Sequence, residues 1–128
     1  MFKHMMPEGH LERFTKEGCD IVCVGSRTIE NGWHSGSDYD FLIYGVDRIP
    51  EVMSELGYKL EVGDAHYEPS EGDFNSWRKG NVNVIITDNH LFFLKFQFAN
   101  NLAKARKLVK RKNRVSLFSY ILYGVKPT

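Results

Sequence analysis

Apolar and polar positions change rhythm several times along the chain, and each change marks an element. Leu11 and Phe14 stand at helical spacing within Pro7 to Lys16, and Gly18 follows, which predicts a short opening helix. Asp20 to Val24 is a β-branched, apolar run bounded by glycines, the pattern of a buried strand. Gly25-Ser26 then turns the chain, and Asn31-Gly32 with Ser35-Gly36-Ser37 makes the next stretch a flexible loop. The run from Asp38 to Tyr44 predicts a second strand returning beside the first.

Ile49, Val52, Met53 and Leu56 fall on one helical face, with Pro50 in the first turn and Gly57 as the stop, so this segment is expected to be a helix. Tyr58 to Val62 alternates as a third strand, and Gly63 to Asn75, acidic and holding Pro69 and Gly72, reads as a long loop. Val82 to Thr87 is the fourth strand, with Val82, Val84 and Ile86 on one face and Asn83, Ile85 and Thr87 on the other. Thr87 or Asp88 is placed to cap a long helix whose core stripe is Leu91, Leu94, Phe98, Leu102, Ala105 and Val109. Phe92, Phe93, Phe96 and Phe98 cover more than one face of it, which leaves apolar surface for a dimer or partner contact. Arg114 to Tyr123 gives a closing helix with Leu117, Phe118, Ile121 and Leu122 inward and Gly124 as its cap. The order αββαββαα indicates an α+β domain.

A chain of 128 residues is expected to form one domain, 1–128, with a core at 8–87 and helices at 88–124. At this size a substrate site must be open or completed by a partner. No apolar run approaches the ~20 residues that span a bilayer, and the N-terminus lacks the basic-then-apolar signature of a secretory signal. The expectation is a cytoplasmic protein without a membrane partner. Cys19 and Cys23, four apart on one strand face, would lie about 13 Å from each other, too far for a disulfide. The net charge of +1 hides an asymmetry, because Lys104 to Arg114 carries seven positive charges and no negative one, leaving 10 basic and 16 acidic residues elsewhere. Lys107, Lys110, Arg111 and Arg114 therefore form a candidate contact for nucleic acid, set against the plainer reading of a solvated helix flank.

The chemistry concentrates between residues 24 and 41. Side chains alternate on a strand at about 3.3 Å per residue, so Asp38 and Asp40 project from one face roughly 7 Å apart, where they can share divalent cations. Gly25 lets backbone approach a triphosphate, Ser26 offers a hydroxyl to a phosphate oxygen, and Arg27 can neutralise charge on the phosphates. Mg²⁺, or Mn²⁺ in its place, suits two carboxylates completed by phosphates and waters. The five histidines, His4, His10, His34, His66 and His90, show no zinc-ligand spacing. His34 lies near the proposed site, either reaching a phosphate or simply exposed on its loop. Trp33 and Trp77 can stack on a base or serve as core or rim residues.

Val24-Gly25-Ser26 followed by Ser37-Asp38-Tyr39-Asp40-Phe41-Leu42-Ile43 resembles the DNA polymerase β-like nucleotidyltransferase superfamily, especially its small single-domain members. Ser76 to Ile85 and Leu117 to Gly124 look similar to nucleotidyltransferase-like proteins of bacteriophage and prophage origin. The resemblance implies a mixed or antiparallel sheet of about four strands, helices packed on one face and a helical C-terminal segment. It implies Asp38 and Asp40 as catalytic metal ligands and Gly25, Ser26 and Arg27 as the nucleotide-binding set. Superfamily enzymes also use a third carboxylate on a later strand, and at that position stands Asn83, which brings no negative charge and cannot act as a base. Glu68, Glu71 or Asp73 from the acidic loop is a possible substitute. Two functions follow as expectations. One is binding of a Mg²⁺-nucleoside triphosphate with nucleotidyl transfer to a hydroxyl. The other is a catalytically impaired module that keeps the fold and binds nucleic acid or a protein partner.

Overall fold

The computed structural model describes residues 6–45, 49–61 and 74–124. Its elements, in chain order, are α1 (His10–Lys16), β1 (Asp20–Val24), a 3-10 turn (Ser26–Thr28), β2 (Tyr39–Tyr44), α2 (Ile49–Glu55), β3 (Lys59–Glu61), β4 (Asn75–Lys79), β5 (Val82–Thr87), α3 (His90–Ala105) and α4 (Arg111–Tyr123). The α+β reading holds, with a mixed sheet of five strands in the order β1-β2-β5-β4-β3. β2 and β5 run parallel at its centre, and every other neighbouring pair is antiparallel.

The central strands are buried on both sides, and this corrects the expectation of helices on one face. Phe41, Leu42 and Ile43 are consecutive on β2 and all 0% exposed, which an alternating strand achieves only between two covered faces. Phe41, Ile43, Val82, Val84 and Ile86 pack with Phe14 of α1 and Ile49, Val52 and Met53 of α2. Leu42, Ile85 and Val24 pack with Phe92, Phe93 and Phe96 of α3 and Phe118 and Leu122 of α4. The two helix pairs therefore occupy opposite faces of the sheet. On the first face His10 Nδ1 lies 2.9 Å from the Tyr58 hydroxyl, a buried polar contact that burial accompanies with a lowered imidazole pKa.

The strand missing from the sequence reading is β4. Asn75-Ser76-Trp77-Arg78-Lys79 holds one apolar residue, Trp77, which packs inward at 8% exposure. Ser76 and Arg78 point to the other face, beside Ile85 and Asn83, and neither contributes an apolar side chain to its core. The legible signal was Gly80-Asn81, a two-residue link between the paired Lys79 and Val82. Trp77 is thus a core residue.

The stripe of α3 is also displaced from the expected one. Leu91, Leu94, Phe98 and Val109 are exposed, and the buried face is Phe92, Phe93, Phe96, Ala99, Asn100 and Ala103. Both stripes have helical spacing, and the one that wins holds three aromatic rings together with small residues that let neighbouring backbone come close. The helix ends at Ala105, and Lys107 at φ 53° turns the chain, so Val109 is not on α3. Its cap is Asn89, whose Oδ1 accepts from the Phe92 amide at 3.1 Å, rather than Thr87 or Asp88. The Thr87 hydroxyl instead accepts from the Asn89 amide at 3.0 Å.

Candidate nucleotide cleft

Antiparallel pairing brings the C-terminal end of β1 beside the N-terminal ends of β2 and β5. One row of Cα partners crosses the sheet there, running Val24, Asp40, Asn83, Arg78 and Lys59. Paired residues share a face, and this is the face of α3 and α4. Above the row lies a cleft of about 490 Å³, lined by Val24, Gly25, Ser26, His34, Ser37, Asp38, Asp40, Arg78, Asn83, Asn100, Arg111 and Arg114 together with apolar residues of α3, α4 and β5.

Gly25 is fixed by two independent constraints. Its φ of 84° is left-handed, and a Cβ there would lie 2.1 Å from Asp40 Oδ2. Its amide donates to Asn100 Oδ1 at 2.9 Å, while Asn100 Nδ2 donates to the Thr28 hydroxyl at 3.2 Å and that hydroxyl donates to the Gly25 carbonyl at 2.7 Å. The Gly25 peptide is therefore held from both sides by α3 and the 3-10 turn. Asn100 was missed in the sequence, where the signal was a single amide inside an apolar helical stripe. Ser26 lines the cleft beside it.

Asp40 and Asn83 meet across the parallel pair, with Asn83 Nδ2 donating to Asp40 Oδ1 at 3.2 Å. Burial, foremost, pushes the Asp40 carboxyl up to about 6, and the Asp38 charge adds to this, while the Asn83 amide, Arg78 and Arg114 act the other way. Asn83 thus stands beside Asp40 where the resemblance places a third carboxylate. Its Oδ1 is buried without a hydrogen-bond partner among the described residues. An orphaned carbonyl oxygen next to a carboxylate is the kind of donor a hard cation accepts.

Asp38 is engaged by a residue that the sequence reading did not single out. Arg78 reaches both of its oxygens, Nη1 to Oδ1 at 3.0 Å and Nη2 to Oδ2 at 3.1 Å, and its Nε donates to Glu61 Oε2 at 3.1 Å. The hydrogen bond to Asp38 is the largest cause that raises the Arg78 pKa. No group of three or more His, Cys, Asp or Glu among the described residues is placed to hold a metal. The donor set fits one divalent ion arriving on a phosphate, held by Asp38 or Asp40 with the Asn83 carbonyl, and does not fit two preassembled cations.

Arg27 occupies a different place from the phosphate contact expected of it. Its Nη2 donates to the Ser37 carbonyl at 2.9 Å and to Ser35 at 3.3 Å, and its Nε donates to Ser37 at 3.2 Å. The guanidinium lies 3.8 Å from the Tyr39 ring centroid and 4.7 Å from that of Trp33. Arg27 braces the loop that delivers Asp38, and it is absent from the cleft lining. His34 lines the cleft, and its Nδ1 accepts from the Gly36 amide at 3.0 Å, which places the proton of the neutral ring on Nε2. Trp33 is exposed beside Arg27.

The basic stretch divides. Arg111 and Arg114, on the first turn of α4, line the cleft, and Arg114 Nη1 also donates to the Leu108 and Val109 carbonyls. Lys110 precedes that turn and is exposed, and Lys107 lies 3.6 Å from Glu30 in an exposed pair. Glu68, Glu71 and Asp73 lie outside the described residues, as do Val62, His4 and His66. Cys19 and Cys23 are not joined in a disulfide. No described helix is long and apolar enough to cross a membrane.

No protein-family profile matches the sequence, and no curated protein matches it. Among solved structures it is similar to conserved protein GrpB from Enterococcus faecalis, at 19% identity and a TM-score of 0.50, over 77% of this chain and 70% of that one. That likeness is one of fold alone.

Proposed function

We propose that this chain binds a nucleoside triphosphate with one Mg²⁺, or Mn²⁺, in the cleft above Asp40, and transfers its nucleotidyl group to a hydroxyl acceptor. The observation that carries this reading is the convergence on one cleft of Asp38, Asp40 and Asn83 with Arg78, Arg111 and Arg114. Acidic and amide oxygens suit a hard cation, and guanidinium groups suit the phosphate chain that brings it. Ser26, next to the tightly constrained Gly25, adds a hydroxyl for a phosphate oxygen. In the transfer, the acceptor oxygen bonds to the α-phosphorus, the bond to the bridging oxygen breaks, pyrophosphate leaves and the acceptor's proton passes to water. The cation, when bound, offsets charge on the phosphates. The basic residues Lys107 and Lys110 outside the cleft are the proposed contact to a nucleic-acid acceptor, and the exposed apolar residues of α3 are a surface available to a second copy of the chain.

A second reading rests on Asn83. With an amide where the resemblance implies a carboxylate, the protein would bind the metal-nucleotide or an anionic partner without turnover. One experiment separates the two. Calorimetric titration with Mg²⁺ and nonhydrolysable analogues of ATP, GTP, CTP and UTP reports binding, and α-labelled triphosphates with a range of hydroxyl acceptors report transfer. Binding with transfer, both lost in Asp38→Ala and Asp40→Ala, supports the enzyme. Binding without transfer supports the module, and no binding of any triphosphate overturns the enzyme and leaves the module only its anionic partner.

A further inference from the structure

We propose that Arg78 is the resident cation of the cleft, neutralising Asp38 when no ligand is bound and passing to the phosphate chain when a metal-nucleotide enters. This deepens the function proposed above and rests on it. The placement is set by the sheet: Arg78 on β4 pairs with Asn83 on β5, which pairs with Asp40 on β2, so the guanidinium emerges on the same face as both aspartates. Its fork takes both oxygens of Asp38, at 3.0 and 3.1 Å, leaving Nε to Glu61 at 3.1 Å. A divalent ion approaching alone therefore meets an Asp38 whose oxygens are already engaged and whose charge is offset.

The same geometry explains how a site with Asn83 in place of a carboxylate remains electrically balanced. Arg78 pairs with both Asp38 and Glu61, and Arg111 and Arg114 line the same cleft as Asp40, so guanidinium groups already offset the carboxylates around it. A guanidinium fork binds phosphate as well as carboxylate, so exchange from Asp38 to phosphate keeps its donors satisfied while freeing Asp38 for the metal. The Arg78 side chain is 33% exposed and that of Asp38 41%, so the pair stands at the cleft wall where such an exchange needs no opening of the core. Lysine, a point charge without the fork, would hold Asp38 by one contact at a time.

The test uses the intact chain in three forms, wild type, Arg78→Met and Arg78→Lys, with folding checked by thermal unfolding in EDTA. Free Mn²⁺ is followed by electron paramagnetic resonance without nucleotide, and a metal-free triphosphate analogue is titrated in EDTA. Arg78→Met should bind Mn²⁺ alone about tenfold more tightly than wild type and the metal-free triphosphate about tenfold more weakly, the size expected for one charge-assisted bidentate contact. Arg78→Lys should fall between them, and serves as the measure should the methionine form fail to fold. Unchanged Mn²⁺ affinity, or Mn²⁺ binding weakened by Arg78→Met, overturns the proposal. If Arg78→Met tightens Mn²⁺ while neither protein binds a triphosphate, the exchange with phosphate falls along with the nucleotide reading, and the occupation of Asp38 stands.

Discussion

Gly25 and Asp40 constrain each other at atomic contact. A methyl group at residue 25 would fall 2.1 Å from the Asp40 carboxylate oxygen, in a backbone conformation that β-carbons resist. Gly25→Ala should therefore lower stability by about 2–4 kcal/mol in urea denaturation, far above the usual effect of adding one methyl in a loop. A loss under half a kcal/mol, a magnitude typical of surface changes, would mean that the strand end rearranges freely. Asp40 itself carries a pH signature. Its pKa rises from 3.8 to about 6 on folding, so the native state holds the proton more tightly and stability falls as pH climbs through that window. Asp40→Asn, measured in EDTA, should be more stable than wild type by about 1–3 kcal/mol at pH ~7.5, with the difference vanishing near pH ~3.5. At this scale the sequence was informative about Asp38, Asp40 and Gly25, since their spacing survives in one dimension. It was silent on Arg78 and Asn100, because what gives them their roles is contact with Asp38, 40 positions away from Arg78, and with Gly25, 75 positions away from Asn100.

The elements show where pattern and packing part company. α3 carries apolar residues on most of its circumference, so periodicity alone admits more than one core stripe, and Leu91, Leu94 and Phe98 satisfy it as well as Phe92, Phe96 and Ala99 do. The sheet chose the second because Phe96 packs edge-on to Phe118 at 4.8 Å and Asn100 must reach Gly25. Phe96→Ala should cost about 3–5 kcal/mol and Phe98→Ala less than about 1 kcal/mol in chemical denaturation. Equal losses would place both rings in the core and overturn the assignment. β4 was hidden for the opposite reason: Trp77 is its one apolar residue and Arg78 lines the cleft, so the strand lacks the contrast that makes its neighbours visible. β1, β2, β5, α2 and α4 were legible because each has a sustained apolar rhythm and a glycine at or near an end, as with Gly57 after α2 and Gly124 at the close of α4.

The whole molecule distributes charge so that the positive stretch serves two places. Arg111 and Arg114 turn into the cleft, and Lys107 and Lys110 stay at its outside. If those lysines meet a polyanion, the affinity for single-stranded nucleic acid should fall with salt, and Lys107→Ala with Lys110→Ala should flatten the slope of log affinity against log salt by roughly 0.7 per contact removed. Filter-binding or fluorescence anisotropy across a salt series checks this, and an unaltered slope would place the nucleic acid elsewhere. The lysine pair should leave metal-free triphosphate binding unchanged, since neither residue lines the cleft.

Because α4 brings Arg111, Arg114 and Phe118 to a cleft whose other walls are built from residues before position 101, that cleft draws on segments far apart in the sequence. During synthesis every described strand emerges before α4 does. A nascent chain can thus pair its strands while this wall of the cleft is still missing, and the cleft closes only once residues 111–118 have been made and docked.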